Sequence, residues 1–335
     1  MQNPCVSIVI ITRNRPFILG YCIEYVLSQP YPHKEIIVVD SSSNNDSERV
    51  VARYPEVISV RLRDQKNNMP QARNEGIAAA SGDIVAFIDD DALVQPGWLE
   101  SLLAAYRDEK VGAVGGRTVA IPSPFCDEVS GPPLMTVGSS GKVVMKGIEL
   151  FSEIPVEVDH LRGCNMSFRR EVLEQIGGFD PNYTLTNLLE ETDLCTRVKK
   201  AGWQLVYVPA MAVQHYTLRR GNYYKRPGTV FSDGRNSVYF TIKNFGLNPR
   251  TIWRQMVVEP GAYCAKTGNL VGMSIFNTIV QLIGRVVGLG AGISWLLSSR
   301  NSRKRTTASP KIKMRSRSVD QQKPLSATSH SESVV

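Results

Sequence analysis

The acidic triplet Asp89-Asp90-Asp91 comes directly after the apolar run from Ile84 to Ile88. A short apolar run bounded by polar residues predicts a buried strand, which places the three carboxylates at the strand's end. Adjacent carboxylates repel one another and are costly to remove from water unless a cation binds between them. Hard divalent cations prefer oxygen ligands, and the strand ends of an open sheet border a ligand crevice. The triplet therefore indicates a metal and phosphate site, and a solvated acidic turn is the simpler alternative.

Several other polar residues follow or interrupt apolar segments and could join the same site. In chain order they are Asp40 before three serines, Arg73 in an Ala-Arg-Asn-Glu-Gly stretch, the segment Arg162-Gly163-Cys164-Asn165, the pair Glu190-Glu191 followed by Asp193, and His215. Each has a simpler structural explanation. Asp40 could cap a turn, the two glutamates could stabilise a helix N-terminus, and a single histidine in a strand is often structural.

The elements that must position these residues alternate between strand and helix through the first part of the chain. Apolar runs predict strands over Val6–Thr12, Glu35–Val39, Val57–Leu62 and Ile84–Ile88, separated by helices over Phe17–Ser28, Asp46–Tyr54 and Asn74–Ala80. This alternation predicts an α/β fold with a parallel sheet and right-handed crossovers. Since the carboxyl ends of parallel strands share one rim, Asp40 and the triplet are expected on the same side of the sheet. That convergence favours the metal site over the solvated turn.

The pattern is looser in the second part of the chain. Strands are predicted over Val111–Val114, Arg117–Ile121, Cys164–Arg169, Leu205–Val208 and Ala212–His215, and helices over Pro96–Arg107, Arg170–Ile176, Glu191–Ala201 and Arg235–Phe245. Between Pro122 and His160, prolines and glycines indicate loops and a small hairpin. Such an insertion could set substrate choice or only decorate the surface. The basic and aromatic segment from Leu218 to Thr229, which includes Arg219, could close over a phosphate group or be a solvated loop.

Composition and charge exclude some classes of function. The 335 residues can bury a substantial core, and 42% apolar content is ordinary for a globular protein. Net charge is +8, but the stretch from Ser298 to Val335 has nine basic residues and two acids, so it carries +7 of that charge. The high pI therefore belongs to the tail and does not indicate a nucleic-acid-binding face. The six cysteines show no paired spacing, which favours reduced thiols in a cytosol-facing protein over a zinc site or disulfides.

A long, mostly apolar segment from Leu270 to Leu297 precedes the basic tail and is about long enough to cross a bilayer. Its polar residues recur at helical spacing and so share one face: Ser274, Asn277, Thr278, Gln281 and Arg285. An arginine at mid-span costs about 2.5–3.5 kcal/mol in a bilayer. The pattern therefore favours an amphipathic helix in the membrane interface, ahead of a helix docked on the protein's own core and of a true span.

These observations divide the chain into three parts. We expect a globular domain over 1–245, a helical, membrane-associating segment over 246–299 and a disordered basic tail over 300–335. The tail is rich in Ser, Thr, Pro and Gln and is expected to attract anionic lipid, which would complete a two-signal membrane anchor. The expected location is cytoplasmic, peripheral at the cytosolic face of the membrane.

In an ordered set of motifs the chain resembles the family 2 glycosyltransferases, inverting enzymes of the GT-A fold. The motifs are Asp40-Ser41-Ser42-Ser43, Ala72–Gly76 followed by Phe87–Asp91, Arg162–Asn165, and Glu190–Leu194 with His215 downstream. The resemblance runs from about Val6 to Phe245. A single D-x-D motif occurs by chance, whereas the whole set in this order is specific. It implies a Rossmann-like, mostly parallel sheet flanked by helices, ahead of the C-terminal amphipathic segment and the basic tail.

The resemblance implies a nucleoside diphosphate sugar as donor, with Mn²⁺ or Mg²⁺ as a Lewis acid on the departing diphosphate. The triplet matches the family's D-x-D motif, which implies Asp91 as a metal ligand, Asp89 near the ribose and Asp90 beside the donor. His215 matches a position that can complete the metal shell, and an imidazole suits Mn²⁺ better than Mg²⁺. Asp40 matches the acid that contacts the nucleotide base. The same donor pocket would be lined by Thr12, Arg13, Arg15 and Arg73.

The resemblance also implies Glu191 as the general base. It would take the proton of the acceptor hydroxyl as that oxygen attacks the anomeric carbon, and a single in-line displacement inverts the configuration. Other polar residues are expected to contact the acceptor or the diphosphate: Arg162, Gly163, Asn165, Glu190, Asp193 and Arg219. The acceptor is expected to be a saccharide or lipid-linked molecule, in cell-surface glycan or glycolipid synthesis. The sequence leaves open the sugar, the linkage and the oligomeric state.

Two alternatives remain at this stage. A sugar nucleotidyltransferase would share the sheet and the diphosphate chemistry, but it needs a glycine-rich phosphate loop after the first strand, and Val9–Leu19 contains no glycine. A catalytically degenerate domain that binds nucleotides or recruits partners to membranes predicts the loss of at least one acidic position. All of those positions are filled here.

Overall fold

The fold is seen in a computed structural model that describes residues 3–62, 68–121, 134–138, 143–146, 154–216, 226–258 and 271–305. Within these ranges nine strands form one sheet and two more form a separate hairpin. Helices cover both faces of the sheet, so the predicted α/β architecture is confirmed. Arg219, most of the 122–160 insertion and residues 306–335 of the tail lie outside the described residues.

The strands follow in chain order. They are β1 (Val6–Thr12), β2 (Lys34–Asp40), β3 (Val57–Arg61), β4 (Ile84–Asp89), β5 (Ala92–Val94), β6 (Val111–Ile121), β7 (Leu134–Val137), β8 (Val143–Lys146), β9 (Val156–Glu157), β10 (Asn165–Arg169) and β11 (Gln204–Tyr216). The short strand β5 follows the acidic triplet directly and was not predicted, because three residues show no alternation that a sequence pattern could reveal.

The helices are α1 (Pro16–Leu27), α2 (Asp46–Val51), α3 (Met69–Ala79), α4 (Trp98–Ala105), α5 (Arg170–Ile176), α6 (Glu190–Lys200), α7 (Pro227–Phe245), α8 (Pro249–Trp253) and α9 (Val271–Arg305). A π-helical turn, Arg254–Val258, follows α8. Helix α3 begins earlier than predicted because Asn68 caps it, accepting a hydrogen bond from the Gln71 backbone N–H. Helix α9 continues to Arg305, past the predicted start of the tail at residue 300.

Strand order explains how the rim residues meet. The order is β3-β2-β1-β4-β10-β6-β11-β5, with β9 paired to β11. The first four strands are parallel, β10 runs antiparallel between β4 and β6, and β11 is parallel to β6. Thr12 lies opposite Asp40, and its neighbour Ile11 lies opposite Asp89. The ends of β1, β2 and β4 therefore form one continuous rim.

Strands β6 and β11 are each continuous where two shorter strands were predicted. The glycines of β6 let the strand pass close to its neighbours. At Gly116 a Cβ atom would stand 1.7 Å from the Met211 carbonyl oxygen. The other close approaches in β6 are those of Gly112 to Trp203 and of Gly115 to Leu161. A register shift inside β11 marks an irregularity without ending the strand.

Two apolar cores lie on opposite faces of the sheet. Because side chains alternate along a strand, Ile8 and Ile10 point into one core and Val9 into the other. Helices α1 and α4 close the first core, and α3, α5 and α6 close the second. Leu194 and Val198 anchor α6 in the second core, which fixes the helix that begins at Glu190.

The long helix α9 packs side by side with α7. A Cβ atom at Gly284 would lie 2.2 Å from the Phe231 carbonyl oxygen, so the two backbones almost touch. Gln281 and Arg285 lie on the face that meets the protein and are 1% and 3% exposed. The sequence places these two polar residues on one face correctly, but the periodicity does not show that this face turns inward.

Candidate active site

A cleft opens at the rim of the sheet, beside the carboxyl ends of β1 and β4 and the N-terminus of α3. Its cavity has a volume of about 250 Å³. The lining residues are Ile11, Thr12, Arg13, Arg15, Ser41, Asn68, Met69, Ala72, Asp89, Asp90 and Asp91. Most of the residues predicted to bind a donor therefore line one cavity. Ser41 and Ala72 appear in the quoted motifs without a predicted role, and Asn68 and Met69 were not singled out from the sequence.

The three aspartates of the triplet have different surroundings. Asp90 accepts a hydrogen bond from the Thr12 hydroxyl at 2.7 Å and pairs with Arg15 at 3.0 Å. Asp91 lies 2.6 Å from the same guanidinium and 3.0 Å from Nε2 of His215. Asp89 is more exposed than its neighbours in the triplet. Arg15, in the loop after β1, thus neutralises two adjacent carboxylates.

Burial and charge have opposite effects on these carboxyl groups. Burial raises the pKa of Asp90 to about 7, although the charge of Arg15 and the hydrogen bond from Thr12 oppose the rise. For Asp91, burial alone would raise the pKa, but the interactions with His215 and Arg15 outweigh it and lower the pKa below its usual value. Asp91 is therefore held as a carboxylate, which is the form that binds a cation.

Asp89 at the end of β4, Asp91 in the turn after it and His215 on β11 converge at one point. One oxygen of each carboxylate and one ring nitrogen of His215 all lie within 4.8 Å of one another. Strand β11 brings His215 to this point because it pairs with β5, which sets His215 opposite Ala92. Two carboxylates and an imidazole form a donor set that suits Mn²⁺ better than Mg²⁺. The chemistry of the residues present therefore fits a divalent cation, with Asp89 added to the predicted pair.

Asp40 is 1% exposed at the end of β2. It accepts a hydrogen bond from the backbone N–H of Ser42 at 2.8 Å, as a turn cap does, and it pairs with Arg61 at the end of β3. Arg61 also donates to the Ser42 and Asn44 carbonyl oxygens. Arg61 was not singled out from the sequence, although its place at the end of a parallel strand was a usable signal.

Arg73 is buried beneath the cleft and is 1% exposed. It pairs with Glu190, lies 3.4 Å from Asp89 and donates to the Gly163 carbonyl oxygen at 3.3 Å. Its guanidinium also lies over the Phe179 ring, 5.4 Å from the centroid. The sequence suggested that Arg73 lies near the base or the phosphates. In the structure it links the triplet to the helix that begins at Glu190.

Glu190 and Glu191 open α6 and differ in exposure. Glu190 is 2% exposed and engaged by Arg73, whereas Glu191 is only half-buried. Burial raises the pKa of Glu191, the charge of Arg73 opposes the rise, and Asp89 adds to it. A raised pKa brings a glutamate closer to the range in which it can exchange protons near neutral pH. Of the two, Glu191 therefore has the surroundings that suit a general base.

The turn that leads into α6 is strained. Three non-glycine residues there have positive φ values: Leu185 at 67°, Asn187 at 57° and Leu189 at 70°. Such conformations are unfavourable for side chains with a Cβ and persist only where the surroundings hold them. Here α7 holds the turn, because Ser232 accepts a hydrogen bond from the Thr186 hydroxyl at 2.6 Å and Asn236 donates to the Leu188 carbonyl oxygen at 3.1 Å.

Two predicted contact residues have structural partners instead. The Asn165 side-chain oxygen accepts a hydrogen bond from the Trp98 indole at 2.9 Å, and its amide nitrogen donates to the Met211 carbonyl oxygen at 2.8 Å. Asp193 is fully buried and bonded to Arg197, Lys243 and Asn244. Both residues were expected to contact the acceptor or the diphosphate. Their polar atoms are used to join elements of the fold.

Two more of the predicted contact residues act on Glu191 or on its neighbours. Gly163 takes part through its carbonyl oxygen, which Arg73 holds. The charge of Arg162 acts to lower the pKa of Glu191. His160, which was not predicted, supports α6 as well, since its Nδ1 lies 3.1 Å from the Thr192 hydroxyl oxygen. Burial lowers the pKa of His160 to about 3, so its ring is neutral.

Comparison with known families gives a match over much of this site. Residues 7–177 match the family model described as "Glycosyl transferase family 2". Residues 149–226 match a second one, described as "Glycosyltransferase like family 2". The first match alone covers half of the chain and includes the cleft, the triplet and the Arg162–Asn165 segment.

Relatives of known function are similar over part of their length. The chain is 28% identical over 200 residues to a glucosyl-dolichyl phosphate glucuronosyltransferase of Haloferax volcanii, which covers 58% of this chain and 62% of the relative. It is 27% identical over 195 residues to the O-antigen chain rhamnosyltransferase WbaN of Salmonella anatum, covering 56% and 58%. The chain thus spans less than two thirds of the length of either relative.

Solved structures match over most of this chain. The mannosyltransferase PcManGT from Pyrobaculum calidifontis, in complex with GDP-Man and Mn²⁺, gives a TM-score of 0.56 at 19% identity and covers 90% of this chain and 89% of that one. GalNAc-T7 with UDP, GalNAc and Mn²⁺ gives a TM-score of 0.62 at 17% identity, covering 89% and 58%. At these identities the likeness concerns the fold, and the predicted GT-A fold is confirmed.

Proposed function

This chain belongs to glycosyl transferase family 2, and from that premise we propose that it transfers a sugar from a nucleoside diphosphate sugar to an acceptor hydroxyl, with inversion. The observation that carries the proposal is the meeting of two acidic groups at one rim. The triplet ends β4, Glu191 lies in the first turn of α6, and buried Arg73 joins the two elements. This arrangement supports donor binding on one side and acceptor activation on the other.

The cleft beside β1 would take the donor. Arg13 and Arg15 line it and would supply positive charge to a diphosphate. Arg15 has a 41% exposed side chain, so it can turn from the aspartates toward a phosphate group. Asp40 and Arg61 lie together at the neighbouring strand ends, which supports their proposed place beside the nucleotide base.

Mn²⁺ is the cofactor that the side chains fit best, and Mg²⁺ is the alternative. Asp89, Asp91 and His215 would hold it, since their ligand atoms already converge within 4.8 Å. A bound divalent cation supplies Lewis-acid neutralisation of the charge that develops on a departing diphosphate. His215 and Arg15 keep the carboxyl group of Asp91 ionised, which is the form that binds a cation.

Glu191 would act as the general base. Its carboxylate takes the acceptor's hydroxyl proton while the hydroxyl oxygen forms a bond to the anomeric carbon. The bond from that carbon to the diphosphate breaks on the opposite face, and its electron pair leaves with the diphosphate. One displacement of this kind inverts the configuration. Arg73, held by Glu190, would fix the distance between the base and the donor rim.

The acceptor we propose is a saccharide or a lipid-linked molecule in glycan or glycolipid synthesis. The names of the two relatives, one a dolichyl phosphate enzyme and one an O-antigen enzyme, support this class. The exposed apolar side of α9 supports a peripheral place at a membrane, and the cysteine pattern supports its cytosolic face. The division into 1–245, 246–299 and 300–335 stays a prediction for shortened chains to test, and α9 crosses its second boundary by continuing to Arg305.

Donor binding is tested by thermal unfolding with a panel of nucleoside diphosphate sugars, with and without Mn²⁺. A bound donor raises Tm by mass action, so at least one donor is expected to do so in the presence of Mn²⁺. Asp91→Asn should lose the Mn²⁺-dependent part of that rise. Glu174→Gln, which changes an exposed glutamate on α5, should keep it.

Catalysis is tested by following sugar transfer from the donor that the screen identifies. Glu191→Gln should keep the donor-dependent rise in Tm and lose transfer by roughly 10²–10⁴-fold, because a neutral amide cannot accept the proton. Unchanged transfer in both Asp91→Asn and Glu191→Gln would refute the mechanism. Donor binding without turnover by the unaltered protein, across a broad acceptor panel, would instead indicate a non-catalytic nucleotide-binding domain.

A further inference from the structure

Helix α9 differs from an ordinary surface helix because Gln281 and Arg285 face the protein while a row of apolar side chains faces outward. On the inner side, Gln281 donates to the Asp233 carboxylate at 3.1 Å. Arg285 donates to the side-chain oxygen of Gln255 at 2.7 Å and to its carbonyl oxygen. The arginine that made a membrane helix costly in the sequence is therefore already satisfied inside the protein.

The outer side of α9 is an exposed apolar stripe. We call it the apolar face, and it consists of Ile279, Ile283, Val286, Val287, Ile293 and Leu297. Each of these residues lies three, four or seven positions from another of them, so they share one face of the helix. Ile283 and Val286 are 52% and 57% exposed. An apolar stripe of this length on a surface marks an interaction site.

A second apolar surface adjoins the helix. Residues of α8 and the π-helical turn line a shallow depression: Leu247, Asn248, Pro249, Ile252, Trp253, Met256 and Val257. Trp253 is 64% exposed there. Buried Gln255, in the same turn, is the residue that Arg285 of α9 binds. Exposed tryptophan is common at the boundary between lipid and water.

The positive charge of the chain around the end of α9 indicates what kind of partner binds this surface. From Ser298 onward the sequence carries +7, and four basic residues, Arg300, Arg303, Lys304 and Arg305, fall within the last helical turns. A second copy of the chain on the apolar face would bring two strongly basic segments together, which repulsion opposes. An anionic bilayer instead offers hydrocarbon to the stripe and negative charge to the tail.

We propose that the apolar face of α9 is the surface through which this protein lies on an anionic lipid bilayer, with the helix along the membrane plane. By length and composition Ile279–Ser299 could cross a membrane. However, α9 packs along α7 from Gln281 to Trp295, so it cannot enter the bilayer as a separate span without breaking these contacts. The proposal rests on the membrane location proposed above and defines the residues that produce it.

The test is flotation of the full chain with vesicles of phosphatidylcholine alone or mixed with phosphatidylglycerol. The protein should float with the mixed vesicles and much less with phosphatidylcholine alone. Ile283→Gln/Val286→Gln should weaken binding to mixed vesicles by roughly tenfold or more, since each change removes a large apolar side chain from the lipid contact. Ile154→Gln/Val119→Gln alters an exposed isoleucine and an exposed valine elsewhere and should bind like the unaltered protein.

Two results would overturn the proposal. One is equal flotation of Ile283→Gln/Val286→Gln and the unaltered protein. The other is a dimer in solution that this variant converts to monomer while vesicle binding stays the same, which would make a second copy the occupant. The donor-dependent rise in Tm, measured on both double variants, should stay unchanged. If no donor raises the Tm of the unaltered protein, that result counts against the proposed function and leaves the vesicle result unaffected.

Discussion

Glu191 is subject to opposing influences that can be read from its neighbours. Burial at the start of α6 raises the pKa of its carboxyl group, the charge of Arg73 lowers it, and Asp89 raises it again. The net result is a pKa above the ordinary glutamate value of 4.5. Glu190, one residue earlier, is paired with Arg73 and has no comparable freedom. Two adjacent residues of one type thus have different surroundings, because a single buried arginine pairs with only one of them.

We expect kcat/KM for sugar transfer to fall as the pH drops through the raised pKa of Glu191, by about tenfold per pH unit below it. The sign follows from the role: a base must be deprotonated, so activity is present above the pKa and lost below it. The acid limb should lie above 4.5, the ordinary glutamate value. A limb at the ordinary value would contradict the assignment.

The pH profile needs a separate measurement of donor binding, because Asp90 lines the cleft and burial raises its pKa to about 7. The donor-dependent rise in Tm, followed over the same pH range, isolates that contribution. Any loss of transfer beyond the loss of donor binding belongs to the chemical step. The same comparison in Glu174→Gln should reproduce the profile of the unaltered protein.

At the residue scale, the sequence indicated which residues could do chemistry more readily than which residues pair with one another. The triplet, Asp40 and His215 were singled out because acids and a histidine at strand ends form a recognisable pattern. The pairings of Asp40 and Glu190 were not predicted: Arg61 lies opposite Asp40 on the neighbouring strand β3, and Arg73 reaches Glu190 from α3. Asn165 was predicted to contact the acceptor or the diphosphate, and in the structure its side chain joins β10 to α4 and β11. Side-chain identity limits what a residue can do, and only the tertiary fold selects its partner.

At the scale of elements, the contact between α7 and α9 is made by backbones. Gly284 approaches the Phe231 carbonyl oxygen and Gly288 approaches that of Arg235. Gly290 lies on the same helix with nothing within 4 Å of a Cβ atom added there. Helix α9 therefore contains glycines with opposite surroundings, two of them crowded and one open. The sequence predicted a helix here because its apolar residues recur at helical spacing. That spacing is the same whether the polar face turns toward the protein or toward its surroundings.

We expect Gly284→Ala to lower the free energy of unfolding by about 1–3 kcal/mol, since the added methyl group forces the helices apart. Gly290→Ala should be neutral or raise it by up to about 1 kcal/mol, because alanine favours helix and meets no neighbour. Urea unfolding of both variants measures the difference. Equal effects of the two substitutions would show that α9 does not lie against α7 in solution.

At the scale of the whole molecule, Lys243 connects the C-terminal helices to the helix of the proposed base. Its ammonium pairs with Asp180 at 2.5 Å and with buried Asp193 of α6 at 2.8 Å. The Trp295 ring of α9 lies 5.8 Å from the same nitrogen. The sequence suggested an end of the globular domain near Phe245, where α7 ends. Local composition could not reveal that α9 returns to cover α7, because this contact joins segments far apart in the chain.

A chain shortened after Phe245 tests that division. We expect its Tm to be lower by at least about 4 °C, and aggregation to increase, because removal of α9 uncovers α7 and the surroundings of Lys243. A chain shortened after Arg305 keeps α9 and should unfold like the full chain. If the 1–245 chain unfolds at the temperature of the full chain, the predicted boundary is correct and α9 is an independent addition.

The three close approaches in β6 also affect how this sequence can change over evolutionary time. Gly112, Gly115 and Gly116 are each limited by a different neighbour: a tryptophan, a leucine and a main-chain carbonyl of β11. At Gly112 the atom nearest to an added Cβ is the Cβ of the tryptophan, at 2.6 Å, and every residue except glycine keeps that atom. At Gly115 the leucine side chain can become smaller by mutation, but a main-chain carbonyl oxygen of β10 remains at 3.0 Å. At Gly116 the carbonyl oxygen lies 1.7 Å away, and no substitution removes it. Among descendants of this sequence, all three positions should therefore stay glycine, and Gly116 most strictly.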